Sequence, residues 1–497
     1  MPAEGVSCVL ADYIFEQSGA PWQRKLLLID EDGIEQRTSY LSCFAAHGFR
    51  IVHYKDDLSF RLQHFRQLED AETRLAVIAT PSDYIPFDIY KRLYEYRLSW
   101  ESLFPRLQAS VIASESDDDL ELICAAYQKT HGMFHEPGAT GQFLREQVYV
   151  RENAEPFAKS SLEQALQQAR TAKTYRDWFR IAEQKAKLDV LACRYGFELD
   201  TSELNRFFQA YVLESYGTLY QENDRETPVI VSRAMEYMSE NSQKFAIIVM
   251  DGMSAFDWAI LSRSFHGVHL HRSAAVAMIP TITSVSRQCL LSNKNPDKLE
   301  HPWKQDLEKK EFVDCARELG YADAQIAYLR GYDADPGGLI SCLAVIIMDC
   351  DDAVHAVLHG RKSMFQEMTE QASAGRLLQL TERLLKKGFD VYISADHGNT
   401  ECRGIGRVTG SGVETETRSH RMVVLKDFAN KQAYQEKYHL LEFPAAYLPK
   451  ENQYLLCKAG ESLDLRGELV MSHGGMAIDE VIVPFITIKA KENLWLK

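Results

Sequence analysis

Long hydrophobic runs are missing from this 497-residue sequence. Its longest apolar stretches, such as Phe245–Met250 and Leu343–Met348, are far shorter than the about 20 residues of a membrane-spanning helix. The segment Met1-Pro2-Ala3-Glu4 also lacks the basic region and apolar stretch of a signal peptide. We therefore expect no signal peptide and no membrane partner, and we interpret the short apolar runs as buried strands.

Paired cysteines and an excess of positive charge are missing as well. The ten cysteines are scattered without a CxxC pair, whereas small secreted domains have dense and regular cysteines. This pattern predicts reduced thiols in a cytoplasmic protein. Lysine and arginine number 56 against 71 aspartates and glutamates, a formal net charge of -15, which disfavours binding of extended DNA. A local phosphate site is still compatible with this charge, because metal ions can supply the positive charge.

The chain is too long for one compact core, so we expect two or three domains. Residues 1–150 alternate short apolar runs with amphipathic stretches, which predicts a small parallel α/β domain. Residues 151–240 carry helical periodicity, as in Ser161–Ala172 and Asp177–Phe197, and predict a helical connecting domain. Residues 241–497 carry the motifs described below.

The first domain has four candidate strands and two candidate helices. The strands are predicted at Lys25–Ile29, Arg50–Tyr54, Leu75–Thr80 and Ser110–Ala113, and the helices at Thr38–His47 and Asp57–Leu68. Its Ile29-Asp30-Glu31-Asp32 corner loosely resembles the acidic pocket of a response-regulator receiver. The third strand, however, ends in Thr80-Pro81, where a receiver needs its phospho-accepting aspartate. A structural α/β domain is therefore favoured over a working receiver, and the acidic run at 116–119 is interpreted as a solvated helix start.

Three apolar runs in the last domain each end in carboxylates. The ends are Asp251-Gly252, then Asp349-Cys350-Asp351-Asp352, and then Asp396-His397-Gly398. Such runs suit parallel strands buried on both faces, and ligands of these sheets bind beyond the carboxyl ends of the strands. Carboxylates gathered there would repel one another, so divalent cations are a natural way to hold them together.

Histidines lie at offsets suitable for metal ligands. His355 follows Asp351 by four residues, which places both on one face of a helical turn. His397 adjoins Asp396, and His473 stands in a Ser-His-Gly-Gly segment. Mixed carboxylate and imidazole ligands favour zinc or manganese over calcium.

The hydroxyl-rich segment Pro280–Arg287 leads into a predicted helix. A hydroxyl at a helix N-terminus is well placed to meet a phosphate, because free N–H groups point at the anion. Metal coordination would favour the alkoxide of Thr283, and Arg287 could hold phosphate oxygens bidentately. Each feature alone has an ordinary structural explanation, such as a turn at Asp251 or a helix cap at Thr283. Their combination in one domain favours a catalytic site.

The order of these residues resembles that of the alkaline phosphatase superfamily: Asp251, Thr283, Asp351 with His355, Asp396 with His397, and His473. Within it, the short spacing and the Pro-Thr-Ile-Thr…Arg segment resemble the PglZ family of bacterial phage-exclusion, BREX-like systems. The segment Leu103–Leu107 also looks like the region before the catalytic domain of such proteins. The resemblance is strong over about residues 240–490 and more architectural before them.

This resemblance implies a two-metal phosphoric ester hydrolase. One ion would be held by Asp251, Thr283, Asp396 and His397, and the other by Asp351, His355 and His473. Zinc is expected first and manganese second. Thr283 would attack phosphorus and form a phosphothreonine that water then hydrolyses. Asp349 and Asp352 compete with Asp351 for its role, and Thr281 and Ser284 compete with Thr283.

Independent phosphoglycerate mutase shares the superfamily, and Ser394–Asn399 resembles its motif. That enzyme inserts a large domain after the nucleophile, whereas only 67 residues, 284–350, separate Thr283 from Asp351 here. It also begins near its first aspartate, whereas Asp251 lies in the middle of this chain. The mutase is therefore set aside.

Two functions of different classes are expected. The first is a phosphodiesterase or phosphatase in anti-phage defence, acting on a phosphoester such as a nucleotide or oligonucleotide, with partners such as a DNA methyltransferase. The alternative is a metal-binding scaffold or regulatory subunit of a defence complex. Three residues after the Asp-His motif have two open interpretations, substrate binding or a solvated loop: Arg418, His420 and Arg421.

Overall fold

The computed structural model describes residues 9–38, 40–356, 360–408, 413–414, 419–426 and 430–492. The chain divides into two compact units. The first comprises Met1–Gln164 with Tyr195–Phe197, and the second comprises Ala165–Arg194 with Glu198–Lys497. Across the described residues, no helix combines the length and the apolar character needed to cross a membrane.

The first unit contains a four-stranded parallel sheet. Its strands are β1 (Lys25–Asp30), β2 (Phe49–His53), β3 (Arg74–Ala79) and β4 (Tyr94–Leu98). Their order is β2-β3-β1-β4, with Leu27 paired to Val77 at the centre. Three of the four predicted strands are confirmed, but Ser110–Ala113 is wrong, because residues 109–113 form a helix. A short apolar run fits a strand or a helix equally well by periodicity, and the fourth strand is the partly exposed β4.

Helices pack around this sheet and continue into the following segment. They are α1 (Val9–Gln17), α2 (Tyr40–Ala46), α3 (Asp57–Glu69), α4 (Phe87–Tyr90), α5 (Trp100–Leu103), α6 (Ala109–Ala113), α7 (Asp117–Lys129), α8 (Pro137–Phe143), α9 (Arg151–Thr171), α10 (Tyr175–Tyr195), α11 (Ser202–Ser215) and α12 (Ala234–Asn241). The helices predicted at 38–47, 57–68, 161–172 and 177–197 are confirmed by α2, α3, α9 and α10. The acidic run at 116–119 begins α7, as expected.

The second unit is built on a six-stranded mixed sheet. Its strands are β5 (Phe245–Met250), β6 (His271–Val276), β7 (Ile326–Arg330), β8 (Cys342–Ile347), β9 (Asp390–Ser394) and, near the end of the chain, Ile482–Ile488. Strands β9, β5, β8 and β7 are adjacent and parallel, and Ile482–Ile488 pairs antiparallel with β6 and β9. The three predicted carboxylate-bearing strands are therefore neighbours, and their carboxyl ends share one edge.

Among the described residues, two smaller sheets and eight α-helices complete this unit. The remaining strands are β10 (Thr400–Gly404), β11 (Val413–Glu414), β12 (Met422–Lys426), β13 (Leu441–Phe443), β14 (Asn452–Leu456), β15 (Glu461–Ser462) and β16 (Leu469–Ser472), which makes Ile482–Ile488 β17. The helices are α13 (Ala255–Leu261), α14 (Thr283–Ser292), α15 (Glu308–Glu318), α16 (Asp349–Ala356), α17 (Arg361–Ala374), α18 (Arg376–Lys386), α19 (Lys431–Tyr438) and α20 (Ile478–Val481). Strands β5 and β8 are buried along their whole length, so the core lies on both sides of the large sheet.

Candidate metal centre and nucleophile

The carboxylates that follow three strands meet at one edge of the large sheet. Asp251 comes directly after β5, and Asp396 comes two residues after β9; both are fully buried. Asp351 lies in the first turn of α16, which follows β8. Because β5, β8 and β9 are parallel neighbours, their carboxyl ends open into the same crevice.

The first group of candidate ligands comprises Asp251, Asp396 and His397, whose ligand atoms all lie within 4.8 Å of one another. The Nε2 atom of His397 is 3.9 Å from Oδ1 of Asp251 and 3.9 Å from Oδ2 of Asp396. The Nδ1 atom of His397 lies 3.0 Å from the carbonyl oxygen of Gly398. That contact assigns the proton to Nδ1 and leaves Nε2 available to a metal.

The second group comprises Asp351, His355 and His473, which satisfy the same distance limit. The two oxygens of Asp351 divide between the rings: Oδ2 lies 3.5 Å from Nε2 of His355, and Oδ1 lies 3.6 Å from Nε2 of His473. The Nδ1 atom of His473 contacts the carbonyl oxygen of Thr281 at 2.9 Å. As in the first group, Nε2 is the nitrogen aimed at the carboxylate.

Both groups fit a divalent cation. Oδ2 of Asp396 and Oδ1 of Asp351 are buried and accept no hydrogen bond from the described part of the chain. An unpaired carboxylate oxygen is costly to bury unless a cation compensates it. Burial and the nearby charge of Asp251 raise the pKa of both carboxyls. A metal ion would reverse this tendency, because positive charge favours the ionised carboxylates.

The hydroxyl of Thr283 faces the first group. Its Oγ1 lies 3.1 Å from Nε2 of His397 and 3.4 Å from Oδ1 of Asp251. Thr283 is the first residue of α14, and no side chain caps this helix. The N–H groups of Val285 and Ser286 donate to the carbonyl of Ile282 at 3.1 and 2.9 Å. The N–H groups of Thr283 and Ser284 precede any intrahelical acceptor, so they are the ones available to an anion beside this hydroxyl.

The two competing hydroxyls differ in position from Thr283. Oγ1 of Thr281 is buried, donates to Oε2 of Glu480 at 2.9 Å and accepts from the N–H of Gly474 at 2.8 Å. Ser284 follows Thr283 in α14, but of these three hydroxyls only Oγ1 of Thr283 contacts a side chain of the first ligand group among the described hydrogen bonds. Thr281 is therefore engaged in holding its loop.

The competing carboxylates on α16 also differ from Asp351. Asp349 accepts from Tyr332 at 3.0 Å and from Arg376 at 2.8 Å, so it is neutralised at the surface. Asp352 belongs to neither ligand group of the described residues. Of the three aspartates, Asp351 is the one that lies between two histidines.

Arg287 is fully buried and points into the first group. Its Nη1 lies 2.5 Å from Oδ2 of Asp251 and 3.9 Å from Oδ2 of Asp396, and its Nε bonds Glu308 at 2.5 Å. Its Nη2 is buried and has no hydrogen-bond partner among the residues that the structure describes. The contact with phosphate oxygens stays a prediction, because this guanidinium is already engaged with ligand carboxylates.

The residues after the Asp-His motif differ from one another. Arg418 lies outside the described residues. His420 is exposed, and its Nδ1 lies 2.7 Å from Oδ1 of Asp464. Arg421 is fully buried against Glu480, with Nη2 2.9 Å from Oε1, so the solvated-loop interpretation is wrong for Arg421, and its contact with a substrate stays a prediction.

Several supporting residues were missed in the sequence. Glu480 accepts from Thr281 and from the N–H of Gly475 at 2.7 Å, so it connects the loop of Thr281 to the loop of His473. Asn399 donates to the carbonyl of Gly252 at 2.8 Å and to Asp257 at 2.6 Å. Asn399 directly follows the Asp-His-Gly motif, which was an available signal, whereas no local pattern distinguishes Glu480.

The sequence matches one family model over part of its length. The model of the BREX system PglZ alkaline phosphatase-like domain matches residues 342–488. This segment is thus an alkaline phosphatase-like domain, and its α/β fold is the one expected from the sequence. The likeness to the PglZ family is shown for this segment alone. The match contains Asp351, His355, Asp396, His397 and His473, whereas Asp251 and Thr283 precede it.

Several solved structures resemble the chain distantly. Murine ectonucleotide pyrophosphatase/phosphodiesterase 5 has 12% identity and a TM-score of 0.36, covering 50% of this chain and 88% of its own. Phosphonoacetate hydrolase from Sinorhizobium meliloti 1021, in complex with phosphonoformate, has 13% identity and a TM-score of 0.32, covering 50% and 90%. Human ectonucleotide pyrophosphatase/phosphodiesterase 5 has 14% identity and a TM-score of 0.32, covering 50% and 90%. No curated protein sequence matches the chain.

Proposed function

We propose that this protein is a metal-dependent phosphoric ester hydrolase that uses Thr283 as its nucleophile. The observation that carries the proposal is the position of Oγ1 of Thr283, which lies at a helix N-terminus within 3.4 Å of both Asp251 and His397. A hydroxyl beside a cation site and free N–H groups has the surroundings that phosphoryl transfer requires.

The donor sets fit two divalent ions, with zinc expected first and manganese second. Asp251, Asp396, His397 and Thr283 would hold one ion, and Asp351, His355 and His473 the other. When bound, such ions stabilise the charge on the attacking and leaving oxygens of the ester. This set of ligands is compatible with both phosphatase and phosphodiesterase activity.

The residues of the chain orient the reacting atoms. The first turn of α14 presents Thr283 together with N–H groups that can hold phosphoryl oxygens. Attack by Oγ1 forms a Thr283–phosphorus bond while the bond from phosphorus to the leaving oxygen breaks. Water then cleaves the phosphothreonine, which restores the hydroxyl and releases the phosphoryl product. Arg287 and Glu308 hold Asp251 in place from the buried side.

The biological setting we propose is cytoplasmic anti-phage defence, which rests on the match to a BREX system domain. Within it, the phosphoester would be a nucleotide or an oligonucleotide, and the partners would be other proteins of the system, such as a DNA methyltransferase. The second candidate is a metal-binding scaffold. It is favoured by the many buried contacts around the ligands, which would also give stability without catalysis.

The test is hydrolysis of p-nitrophenyl phosphate and bis-p-nitrophenyl phosphate by protein loaded with zinc or manganese. Thr283→Ala should lower the rate by at least about 10³-fold, whereas Thr283→Ser should keep much of it, because only the serine variant retains a hydroxyl. Ser284→Ala serves as the neighbouring control and should stay near wild type. Circular dichroism of each variant should be unchanged, and the metal content of Ser284→Ala should equal that of wild type.

Phage protection separates the two candidate functions. A catalytic role requires Thr283→Ala to abolish protection while the protein is present at its normal level. Full protection by this variant, together with loss of protection when ligands of both groups are replaced, would favour the scaffold. Turnover by Thr283→Ala equal to that of wild type would contradict the proposed nucleophile.

A further inference from the structure

Two consecutive carboxylates of α20, Asp479 and Glu480, are buried beside the loops that carry the candidate ligands. Each contacts a buried cation of its own. Glu480 is paired with Arg421, whose Nη2 lies 2.9 Å from Oε1. Asp479 is paired with Lys185 of α10, whose Nζ lies 2.7 Å from Oδ1 and 2.8 Å from Oδ2. Lys185 is 0% exposed, which is rare for a lysine unless it is paired.

Asp479 lies against the Asp-His-Gly motif of the first ligand group. A Cβ atom on Gly398 would overlap the carbonyl oxygen of Asp479, and the N–H of Gly398 donates to the carbonyl of Glu480 at 3.0 Å. The carboxylate of Asp479 accepts from Oγ1 of Thr400 at 3.2 Å. The ring of His397 contacts the carbonyl of Gly398 at 3.0 Å, so the position of Gly398 affects the orientation of this ligand.

The side chain of Glu480 supports the other ligand group. It accepts from the N–H of Gly475 at 2.7 Å and from Oγ1 of Thr281 at 2.9 Å. The carbonyl of Thr281 in turn lies 2.9 Å from Nδ1 of His473. The side chain of Glu480 therefore contacts the surroundings of the second group, whereas that of Asp479 contacts the surroundings of the first.

Lys185 belongs to a cluster of four charges. Its Nζ also contacts Oδ2 of Asp189, one helical turn further along α10, at 2.7 Å. The guanidinium of Arg361 pairs with Asp189 and lies 3.4 Å from Oδ2 of Asp479. Burial opposes the ionised form of Asp479, but Lys185 and Arg361 outweigh it and lower its pKa. Two cations and two carboxylates therefore balance each other in this cluster.

The helical segment before the large sheet contacts α20 at a second point. Oδ1 of Asn205 in α11 accepts from the N–H of Ile478, the first residue of α20, at 2.8 Å. A helix of four residues depends on such contacts for its position, because it has little stability of its own. Neither Lys185 nor Asn205 lies in the segment 342–488 that the family model matches.

We propose that Lys185 is a positioning residue for the first metal ion. This inference rests on the proposed function, in which the first ligand group holds an ion. The ammonium of Lys185 contacts both oxygens of Asp479 and so fixes this carboxylate, whose residue packs against Gly398 beside His397. Residues that orient metal ligands in this indirect way typically change metal affinity by about 10- to 100-fold when they are replaced.

The test measures zinc affinity at one ligand group at a time, by competition with a chromophoric chelator. Asp351→Asn leaves the first group as the reporter, and Asp396→Asn leaves the second. Lys185→Met should weaken zinc binding at the first group by about 10- to 100-fold and at the second by less than about threefold. Arg421→Met should give the reverse pattern, because it removes the cation of Glu480. Equal losses at both groups in Lys185→Met, or no loss at the first, would overturn the proposal.

A second replacement distinguishes positioning from charge balance alone. Lys185→Met leaves two carboxylates with one cation, Arg361, and the further change Asp189→Asn makes the cluster neutral again. The double variant should regain most of the urea midpoint that Lys185→Met loses. Its zinc affinity at the first group should stay at least about 10-fold below wild type, because no ammonium holds Asp479. Recovery of affinity together with stability would contradict a positioning role, and this comparison decides even if Lys185→Met alone does not fold.

The matched control is Lys187→Met on the same helix. Lys187 pairs with Glu183 at 3.0 Å, but its side chain is 41% exposed, so its loss should leave zinc affinity unchanged. Cobalt reports the coordination directly: the visible absorption of Co²⁺ at the first group should differ from wild type in Lys185→Met and match it in Lys187→Met. An unchanged cobalt spectrum in folded Lys185→Met would contradict a displacement of His397.

Metal binding separates this inference from the proposed function. If metal-loaded wild type hydrolyses no ester, the proposed function fails, and the zinc affinities still decide the role of Lys185. If wild type hydrolyses esters while Lys185→Met keeps the zinc affinity of the first group, the positioning role is wrong and the proposed hydrolysis stands.

Discussion

The imidazole rings of His397 and His473 lie nearly parallel, 17° apart, with their centroids 4.2 Å from each other. Each ring contacts a backbone carbonyl through Nδ1. Burial opposes the charged form of His397, but Asp396 and Asp251 outweigh it and raise its pKa. Burial and the charge of His397 lower the pKa of His473. His397 belongs to the first ligand group and His473 to the second. The contact between their rings therefore places the two groups next to each other.

We expect the two ligand groups to bind two metal ions per chain, and each site should be lost separately when one of its own ligands is replaced. Asp396→Asn and Asp351→Asn should each lower the stoichiometry from two ions to one, because each removes a carboxylate from a different group. Elemental analysis of desalted, zinc-loaded protein measures this directly. Asp352→Asn, on the same helix as Asp351 but in neither group, should still bind two. Two ions in all three variants would contradict the assignment of ligands.

Arg287 predicts a metal-dependent stability difference. Arg287→Met leaves Asp251 buried without its cation, whereas Glu308 keeps Arg330 at 2.6 Å, so the free energy of unfolding in chelator should fall by about 3–5 kcal/mol. Zinc should recover part of this loss, because an ion can compensate the charge of Asp251. Urea unfolding with and without zinc measures both effects.

The control for Arg287 is Arg376→Met. Arg376 pairs with Asp349 at 2.8 Å, but its side chain is 46% exposed, so its loss should cost less than about 1 kcal/mol. If Arg287→Met and Arg376→Met lower the free energy of unfolding equally, the prediction that the buried Arg287–Asp251 pair contributes more than the exposed pair is wrong.

The surroundings of Gly398 leave no room for a side chain at this position of the Asp-His-Gly motif. A Cβ atom there would meet the carbonyl oxygen of Asp479 at 2.0 Å and Cα of Ser254 at 3.1 Å. Gly398→Ala should therefore destabilise the fold by about 1–3 kcal/mol and weaken zinc binding by displacing His397. Gly338→Ala is the control, since nothing lies within 4 Å of its added Cβ. Thermal unfolding and zinc titration would refute the requirement if both variants match wild type.

Asp257 predicts a pH dependence of stability. Burial raises the pKa of this fully buried carboxyl to about 6, against about 3.9 in an unfolded chain. A raised folded pKa gives stability that is complete below about pH 4 and is lost as the pH rises through about 6. The difference amounts to about 3 kcal/mol.

The side chain of Asp257→Asn cannot ionise, so the variant does not lose this stability as the pH rises. Its free energy of unfolding, relative to that of wild type, should therefore increase by up to about 3 kcal/mol between pH 4 and pH 7. Any loss of hydrogen bonds to Ser254 or Asn399 gives an offset that does not vary with pH. Urea unfolding at a series of pH values measures the slope. Asp306→Asn, at an exposed position, should follow wild type, and a constant difference for Asp257→Asn would be the contrary result.

Much of the fold could be predicted because its signals are local. The runs that form β5, β8 and β9 are short, apolar and followed by carboxylates, and parallel strands place such ends at one edge. The prediction was wrong at Ser110–Ala113, where four residues cannot distinguish a strand from a helix. The partly exposed β4 was missed because it lacks a continuous apolar run.

The sequence by itself determined which residue types stand at the strand ends and at what spacing, since periodicity and chain order are local properties. Tertiary structure decided which side chains meet. It directed Thr283 rather than Thr281 toward the first ligand group, buried Arg287 against Asp251, and brought His420 to Asp464. These choices depend on the packing of segments far apart in the chain, and no local pattern encodes the direction of a side chain across such a distance.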